Sequence, residues 1–301
     1  MELPFFSIII PTFNRLNKLK RALDSVLRQT YRNYEIIIID DGSTDGTDKY
    51  IAQLSESNDR IRYRWIPNSG LPAVARNHGI EISGGNYICF LDSDDYWKES
   101  KLADVAACIE KYPEAAAISH NEDEMVKGHY TRVLYNRRKI KGSLYEDLLF
   151  RGNFLSTSAM TVKREVLQET GLFNTSPEFC IVEDYDLWLR IAQKGTMAFI
   201  NKSLGCCVVD DEGISSDIER LHENLRNVVT AHICGLDRTR YDIEKLMKIH
   251  HARIDYYKGR SYQMKGDFEK AIPVLRESII KYPFAVKKWI SLLFVLLRIK
   301  K

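Results

Sequence analysis

The sequence has no CxxC pair among its six cysteines (Cys89, Cys108, Cys180, Cys206, Cys207 and Cys234), and no spacing that reads as a disulfide framework. A disulfide-stapled secreted scaffold is therefore excluded, and buried free thiols in a reducing compartment are expected. No GxxxxGK[ST] occurs anywhere, and no GxGxxG follows the first apolar run, so the two familiar backbone cradles for phosphate are missing. No apolar run approaches the ~20 residues that crossing a bilayer requires. The opening Met-Glu-Leu-Pro has no basic region ahead of a long apolar core, so no signal peptide is read and a cytoplasmic location is expected.

What is present is ordinary in amount and uneven in placement. The 301 residues are 45% hydrophobic and 28% charged, enough for one large domain with an appendage or for two domains. The net charge of +3 hides a division. From Leu236 onward 16 Lys and Arg face 7 Asp and Glu, a balance of +9, while the rest carries 28 against 34, a balance of −6. An acidic body precedes a basic tail, and the tail is the part suited to an anionic partner. Nucleic acid is not expected as that partner.

Apolar runs at Phe5–Ile10, Tyr34–Ile39, Ile61–Ile66 and Tyr87–Leu91 read as strands, three of them as strands buried on both faces. Between them Leu16, Leu19, Leu23, Val26 and Leu27 recur at helical spacing. Helices are also expected from Thr44 or Asp45 to about Leu54, and from Leu71 to Ser83. Strand and helix alternating four times within 95 residues predict an α/β fold with a mostly parallel, doubly wound sheet.

Two of these strands end in acid: Asp40-Asp41 after the second, and Asp92-Ser93-Asp94-Asp95 after the fourth. In a doubly wound sheet the ligand crevice lies beyond the carboxyl ends of the strands. Crowded carboxylates there repel one another, and a hard divalent cation such as magnesium, calcium or manganese relieves them. The plainer reading of the second cluster is a turn or a helix cap, with Asp95 or Ser100 capping a helix from Lys101. Without a phosphate cradle, two acidic strand ends hold a nucleotide diphosphate only through a bridging cation.

Ser7-Ile8-Ile9-Ile10-Pro11-Thr12-Phe13-Asn14-Arg15, Ser25-Val26-Leu27-Arg28-Gln29-Thr30-Tyr31 and Ile39-Asp40-Asp41-Gly42-Ser43-Thr44-Asp45 resemble the family 2 glycosyltransferases of the GT-A fold. Ala75-Arg76-Asn77-His78-Gly79, Leu91-Asp92-Ser93-Asp94-Asp95 and Glu183-Asp184-Tyr185-Asp186-Leu187-Trp188-Leu189-Arg190 continue the likeness in the family's order, over roughly residues 5–210. The resemblance implies a GT-A, Rossmann-like sheet flanked by helices and an inverting, metal-dependent transfer of a sugar from a nucleotide diphosphate sugar, UDP foremost. It puts Pro11, Thr12, Phe13, Asn14, Asp41, Arg76, Asp92 and Ser93 on the nucleotide sugar, with the Asp41 carboxylate accepting from a uracil N–H. Asp94 and Asp95 fall to Mn²⁺ or Mg²⁺, without a choice between them. Asp184 becomes the general base that takes the acceptor hydroxyl's proton, with Glu183 and Trp188 on the acceptor side. Against this stand plainer readings: Arg76 as a surface-helix arginine, and Glu183-Asp184 as acids favoured in a helix's first turn. The QxxRW of processive members is missing, since Trp188-Leu189-Arg190 does not match it, so a single addition is expected.

The division expected is 1–235 for this domain, with 1–97 the nucleotide-sugar half and 98–235 the acceptor half, followed by a helical tail at 236–301. His120-Asn121-Glu122-Asp123-Glu124 and Arg137-Arg138-Lys139 read as solvated charged loops, Asn153–Ser158 as a wall of the acceptor cleft, and Gly213-Ile214-Ser215-Ser216 as part of a closing loop. His222 reads as a surface histidine or as a group reaching metal or phosphate. Tyr257–Tyr262, Gly266-Asp267-Phe268, Ala271, Leu275 and Tyr282-Pro283 resemble one tetratricopeptide-type hairpin, a structural cap or a site of partner binding and self-association. Trp289–Leu297, flanked by Lys287, Lys288, Arg298, Lys300 and Lys301, reads either as an interfacial helix on anionic lipid or as a packing helix. The setting implied is bacterial surface-polysaccharide assembly at the inner face of the cytoplasmic membrane, with a saccharide or lipid-linked saccharide acceptor. Rival functions are a glycoside hydrolase with paired carboxylates and a non-catalytic interaction protein built on the tail.

Overall fold

Residues that are apolar without alternation make the centre of the sheet. β1 (Phe6–Thr12), β2 (Tyr34–Asp40), β3 (Ile61–Trp65) and β4 (Tyr87–Phe90) pair in parallel in the order β3-β2-β1-β4. The isoleucines of β1 and β2 are wholly buried, because helices cover both faces and leave no solvent side for polar residues. The crossovers are α1 (Leu16–Leu27), α2 (Thr47–Glu56) and α3 (Pro72–Ile82). Leu19, Ala22, Leu23 and Val26 of α1 enter one core with Ile8, Ile10, Ile36 and Ile38. α3 lies so close to β1 that a Cβ on Gly79 would stand 2.5 Å from Ile9 Cγ2, which no side chain tolerates without displacement. The computed structural model describes residues 3–136, 142–209 and 216–300.

Beyond β4 the sheet becomes mixed. β5 (Tyr96–Trp97), α4 (Lys101–Lys111), β6 (Ala117–Val126), β7 (His129–Leu134), α5 (Leu144–Arg151), β8 (Thr161–Lys163), α6 (Arg164–Thr170), α7 (Glu183–Lys194) and β9 (Met197–Val209) follow in the chain. They extend the sheet as β4-β8-β6-β9-β5 with β7 beside β6, nine strands among the described residues. β8 runs antiparallel to both neighbours, whereas β6 and β9 are parallel. The parallel expectation thus holds for the first four strands and gives way to a mixed sheet in the rest. One expectation is corrected outright: His120 to Glu124 is no loop but the middle of β6, and His120, Asn121 and Glu122 are buried. β6 carries a strand on each side, so even its polar residues are drawn inside. Arg137-Arg138-Lys139 and Gly213-Ile214-Ser215 lie outside the described residues. All six cysteines are free thiols.

These strands and helices belong to one compact unit, residues 1–175 and 183–211; a second comprises 176–182 and 212–301. The division falls before residue 235, where the sequence reading put it, because α8 (Ile218–Cys234) joins α9 (Ile243–Lys265), α10 (Phe268–Lys281) and α11 (Val286–Leu296). Asn224 of α8 ties in the 176–182 segment by donating to the Pro177 and Cys180 carbonyls. Asp217, Asp242 and Asp267 cap α8, α9 and α10 by accepting from the backbone N–H three residues on. α9 and α10 form a hairpin whose close approach is permitted by Gly259, where a Cβ would meet Leu275 at 2.6 Å. Neither expectation for His222 holds in its form: the ring is buried within this unit, and Nδ1 donates to the Ile218 carbonyl at 2.8 Å. Among the described residues no helix is long and apolar enough to cross a membrane.

Candidate active site

The parallel register carries the carboxyl ends of β1, β2 and β4 to one edge of the sheet, with Thr12 level with Asp40. Beyond β1, Asn14 takes a φ of +48° and ties two loops together. Its side-chain oxygen accepts from the Thr44 N–H at 2.8 Å, and its own N–H donates to Ser43 Oγ at 2.8 Å. Asp40, wholly buried, accepts from the Ser43 N–H and the Tyr63 hydroxyl, both at 2.8 Å. Burial, then this carboxylate, push the Tyr63 hydroxyl's pKa up. Asp41 accepts from the Ser69 N–H at 2.8 Å, Ser69 Oγ at 3.1 Å and the Gly70 N–H at 3.2 Å. Directly after them Gly42 has φ +87°, and a Cβ there would lie 2.9 Å from the Asn68 nitrogen, so only glycine fits. Pro11 is half-buried, Thr12 is buried with its hydroxyl unpartnered, and the Phe13 ring is 45% exposed.

Arg76, far from being a surface arginine, is 5% exposed and holds the site together. Its Nη1 donates to Glu183 Oε1 at 2.6 Å and its Nη2 to Asp92 Oδ1 at 2.7 Å, joining the end of β4 to the start of α7. Burial opposes the charge, but Asp92 and Glu183 outweigh burial and raise the guanidinium's pKa. The guanidinium also lies 5.3 Å from the centre of the Phe173 ring. Asn77, next in the chain, fixes that wall by donating to the Phe173 carbonyl at 2.9 Å and accepting from its N–H at 3.0 Å. Arg76 Nε and Glu183 Oε2 are buried without partners.

Asp184 opens the same helix. Its Oδ2 accepts from Thr157 Oγ1 at 2.9 Å and its Oδ1 from the Tyr185 N–H at 2.6 Å. Burial, then the negative charge of Glu183, raise its pKa to about 7, against the pull of Arg76. Its surface is only partly covered, so the depth of its surroundings rather than complete exclusion of water raises it. A carboxylate poised near neutrality beside a fixed cation is a competent proton acceptor.

The acidic run after β4 divides three ways. Asp92 faces Arg76. Asp94 is ion-paired with Arg15 at 2.5 Å, and its carbonyl accepts from Arg21. Asp95 turns inward, accepting from Ser158 Oγ at 2.6 Å and the Val208 N–H at 2.8 Å, and burial, then Glu122, push its carboxyl well up. Ser93 between them is buried. Among the described residues no three His, Cys, Asp or Glu side chains gather to hold a metal by themselves. Asp92 and Asp94 are hard oxygen donors with side chains 32% and 19% exposed, a set that suits Mg²⁺ or Mn²⁺ completed by a substrate's phosphates. Asp95, its oxygens committed inside, does not fit the metal role expected of it.

Trp188 does not fit its role either. It is wholly buried, 6.1 Å from both Phe90 and Phe173, and packs the core beneath the site instead of facing an acceptor. Thr157, Ser158 and Arg15 emerge instead as groups touching the acids. Residues 153–156, expected at the acceptor cleft, line a groove of about 480 Å³ with Arg132 to Asn136, next in the chain to Thr157. Beneath Asp95 lies a cluster that the sequence reading missed. Glu122 is wholly buried, neither carboxylate oxygen has a hydrogen-bond partner, and burial raises its pKa to about 7; Ser156 is near enough to oppose that rise without a well-formed bond. Lys101, also wholly buried, sits 3.7 Å over the Trp97 ring and is pushed down by burial. His120 is held to about 3, chiefly by burial.

Residues 7–171 match the family described as glycosyl transferase family 2. An uncharacterized glycosyltransferase of Rickettsia felis is 36% identical over 207 residues, covering 66% of this chain and 32% of its own. The chain thus spans about a third of the length of that relative. The Escherichia coli UDP-Glc:alpha-D-GlcNAc-diphosphoundecaprenol beta-1,3-glucosyltransferase WfaP is 33% identical over 196 residues, 64% of this chain and 72% of that protein. Among solved structures, S. aureus TarS 1-349 in complex with UDP-GlcNAc superposes with a TM-score of 0.65 at 16% identity, covering 98% of this chain and 88% of that one. The mannosyltransferase PcManGT of Pyrobaculum calidifontis, in complex with GDP-Man and Mn²⁺, gives 0.61 at 16% identity over 99% and 86%. These two likenesses speak to the fold.

Proposed function

The chain belongs to glycosyl transferase family 2, and from that premise we propose that it transfers a sugar from a nucleotide diphosphate sugar, UDP foremost, to a saccharide or lipid-linked saccharide. The transfer inverts the anomeric centre and adds one sugar at a time. The acceptor class follows WfaP, whose name gives a lipid diphosphate saccharide, and the donor class follows the nucleotide sugars bound by the solved neighbours. The setting is surface-polysaccharide assembly at the inner face of a bacterial cytoplasmic membrane.

The observation that carries this reading is Arg76, which joins Asp92 and Glu183 across the chain and so holds Asp184 beside the strand-end acids. The Phe13 ring and Asp41 frame the nucleotide base, where Asp41's remaining lone pairs accept from an N–H. The permanent charge of Arg76, held beside Asp92, favours the diphosphate electrostatically. Asp92 and Asp94 would hold the cation. A divalent metal held there would supply positive charge to offset that of the diphosphate leaving group. Asp184 accepts the acceptor hydroxyl's proton while the hydroxyl oxygen forms the new bond to the anomeric carbon from the opposite face. Thr157 holds that carboxylate in its orientation. Trp188 and Asp95 serve as packing and loop anchors.

The test is incubation of the full chain with a panel of nucleotide sugars, with and without Mn²⁺, reading nucleotide release and binding. Metal-stimulated release from one donor is expected. No binding or turnover of any donor in Mn²⁺ overturns the reading.

A further inference from the structure

Helix α11 packs inside out. The side chains it turns inward are Lys288, Ser291 and Val295, 3%, 4% and 1% exposed. Lys288 Nζ donates to the Ser278 carbonyl at 2.9 Å and the Tyr282 carbonyl at 3.2 Å, and Ser291 Oγ to the Lys287 carbonyl at 3.0 Å. The outward face is apolar: Trp289, Ile290, Leu293, Leu296 and Leu297 are 47–61% exposed, and Val286 and Phe284 still more. Positions 286, 289, 290, 293, 296 and 297 form one stripe on a helix of 3.6 residues per turn. The Lys288 bonds, which reach the end of α10, accompany this orientation; the Ser291 bond lies within α11 itself. The packing-helix reading describes the inward face of α11, and the lipid-surface reading concerns the outward one.

What covers the stripe is decided by charge. Residues 284–301 hold five Lys and Arg and no Asp or Glu. Lys287 is exposed and borders the stripe, beside the Tyr256 and Tyr257 rings at 4.9 and 5.5 Å; Arg298 and Lys300 are exposed at its carboxyl end. A second copy laid on the same face in a two-fold contact would bring two such clusters together, with Glu269, ion-paired to Arg298 at 3.4 Å, offsetting one charge of each. An anionic phospholipid surface supplies both what the leucines need and what the lysines need. The helix is too short to cross a bilayer and long enough to lie in its headgroup boundary, with Trp289 at that level. We propose that α11 docks the protein on an anionic lipid surface through the Trp289–Leu297 stripe and its basic rim. The proposal stands on the second unit alone and does not depend on the activity assigned above.

The experiment is vesicle flotation of the full chain with phosphatidylcholine, pure or containing about a third phosphatidylglycerol. The wild type is expected to float with the anionic vesicles, to remain behind with the neutral ones, and to be released by salt. Leu293→Glu with Leu297→Glu should lower binding at least about tenfold, and Lys287→Gln with Arg298→Gln and Lys300→Gln about fivefold or more for the set. These side chains are exposed, and unchanged circular dichroism and melting temperature confirm folding. The proposal falls if the wild type fails to float with anionic vesicles, or if the double glutamate variant floats as the wild type does. It also falls if the wild type is a dimer that the glutamates dissociate, since the stripe is then an interface between copies.

Discussion

The two halves of the sheet unit handle buried acid in opposite ways. In the parallel half, Asp40 and Asp41 spend their oxygens on neighbouring loops, and the bonds from Tyr63, Ser69 and Gly70 join segments some 20–30 residues apart within that half. In the mixed half, Glu122 has no hydrogen-bond partner, Glu183 has one oxygen unpartnered, and Asp184 and Glu122 are both raised to about 7. The first half is a scaffold whose strand-end carboxylates Asp40 and Asp41 are satisfied from within it. The second carries polar capacity that the protein does not satisfy, and buried capacity of that kind is maintained where a ligand or a proton completes it. Arg76 is the joint between them, one arm on Asp92 and the other on Glu183.

If that contrast is real, variants in the two halves should fail differently. The largest effect is expected at Asp184→Asn: turnover falls by about 10²–10⁴-fold while nucleotide-sugar affinity stays within about twofold, since the amide keeps the shape and loses the basicity. Turnover near that of the wild type would remove Asp184 from its role. In the active wild type, kcat should rise with pH through about 7 as Asp184 loses its proton.

Next comes the joint. Arg76→Met leaves Asp92 and Glu183 facing each other without their shared cation, and removing one partner of a buried ion pair costs about 3–5 kcal/mol. Urea unfolding should register that loss together with loss of activity. A stable, inactive Arg76→Met protein would mean that the two halves stand without their joint.

Glu122→Gln probes the mixed half from below and should move stability the other way. The folded-state pKa of Glu122 is about 7, above its unfolded value, so the folded protein holds a proton that the unfolded chain gives up. Stability contributed by this group is complete below the unfolded pKa, declines as pH rises toward about 7, and stays low above it. The glutamine variant has no such decline and should be about 1–3 kcal/mol more stable than the wild type at pH 8 and no more stable at pH 4. Paired melting curves at the two pH values read this directly. Equal stability at pH 8 would show that Glu122 is ionised at no cost and is partnered in solution.

The same contrast explains what could be read in advance. The parallel half was legible because its strands are buried on both faces and its helices on one, so periodicity and turn residues carry the topology. Asp40-Asp41, Arg76, Asp92 and Asp184 were legible through the family resemblance, but their pairing was not, because Arg76 bonds Glu183 across 107 positions. β6 was lost for a physical reason: Glu122 and His120 look solvated by residue type but are buried inside the sheet, with β9 beside both and β7 beside Glu122. One signal was available there, since no glycine or proline interrupts residues 114–127 to end the strand that Ala115–Ser119 begins. Trp188 shows the opposite error, where a motif position was taken for an acceptor contact and is buried in the core, while Asp95 spends its oxygens on Ser158 and Val208. The face of α11 could not be chosen from sequence at all, because Lys288 inside and Leu293 outside reverse the ordinary preference.

The smallest effect expected belongs to the scaffold. Asp41→Asn keeps one side-chain oxygen for the Ser69 N–H and replaces the other by a donor, which faces Ser69 Oγ and the Gly70 N–H. The Gly70 N–H then loses its acceptor while the serine hydroxyl can turn to accept, so the loss is about one hydrogen bond, on the order of 1 kcal/mol. Thermal unfolding should show that modest drop. Nucleotide affinity should fall with it, because the amide nitrogen now offers a donor where the base's N–H needs an acceptor. Should affinity hold while stability drops, Asp41 belongs wholly to the scaffold and the base is read elsewhere at the mouth, with Phe13 and Thr12 the nearest groups left to do it.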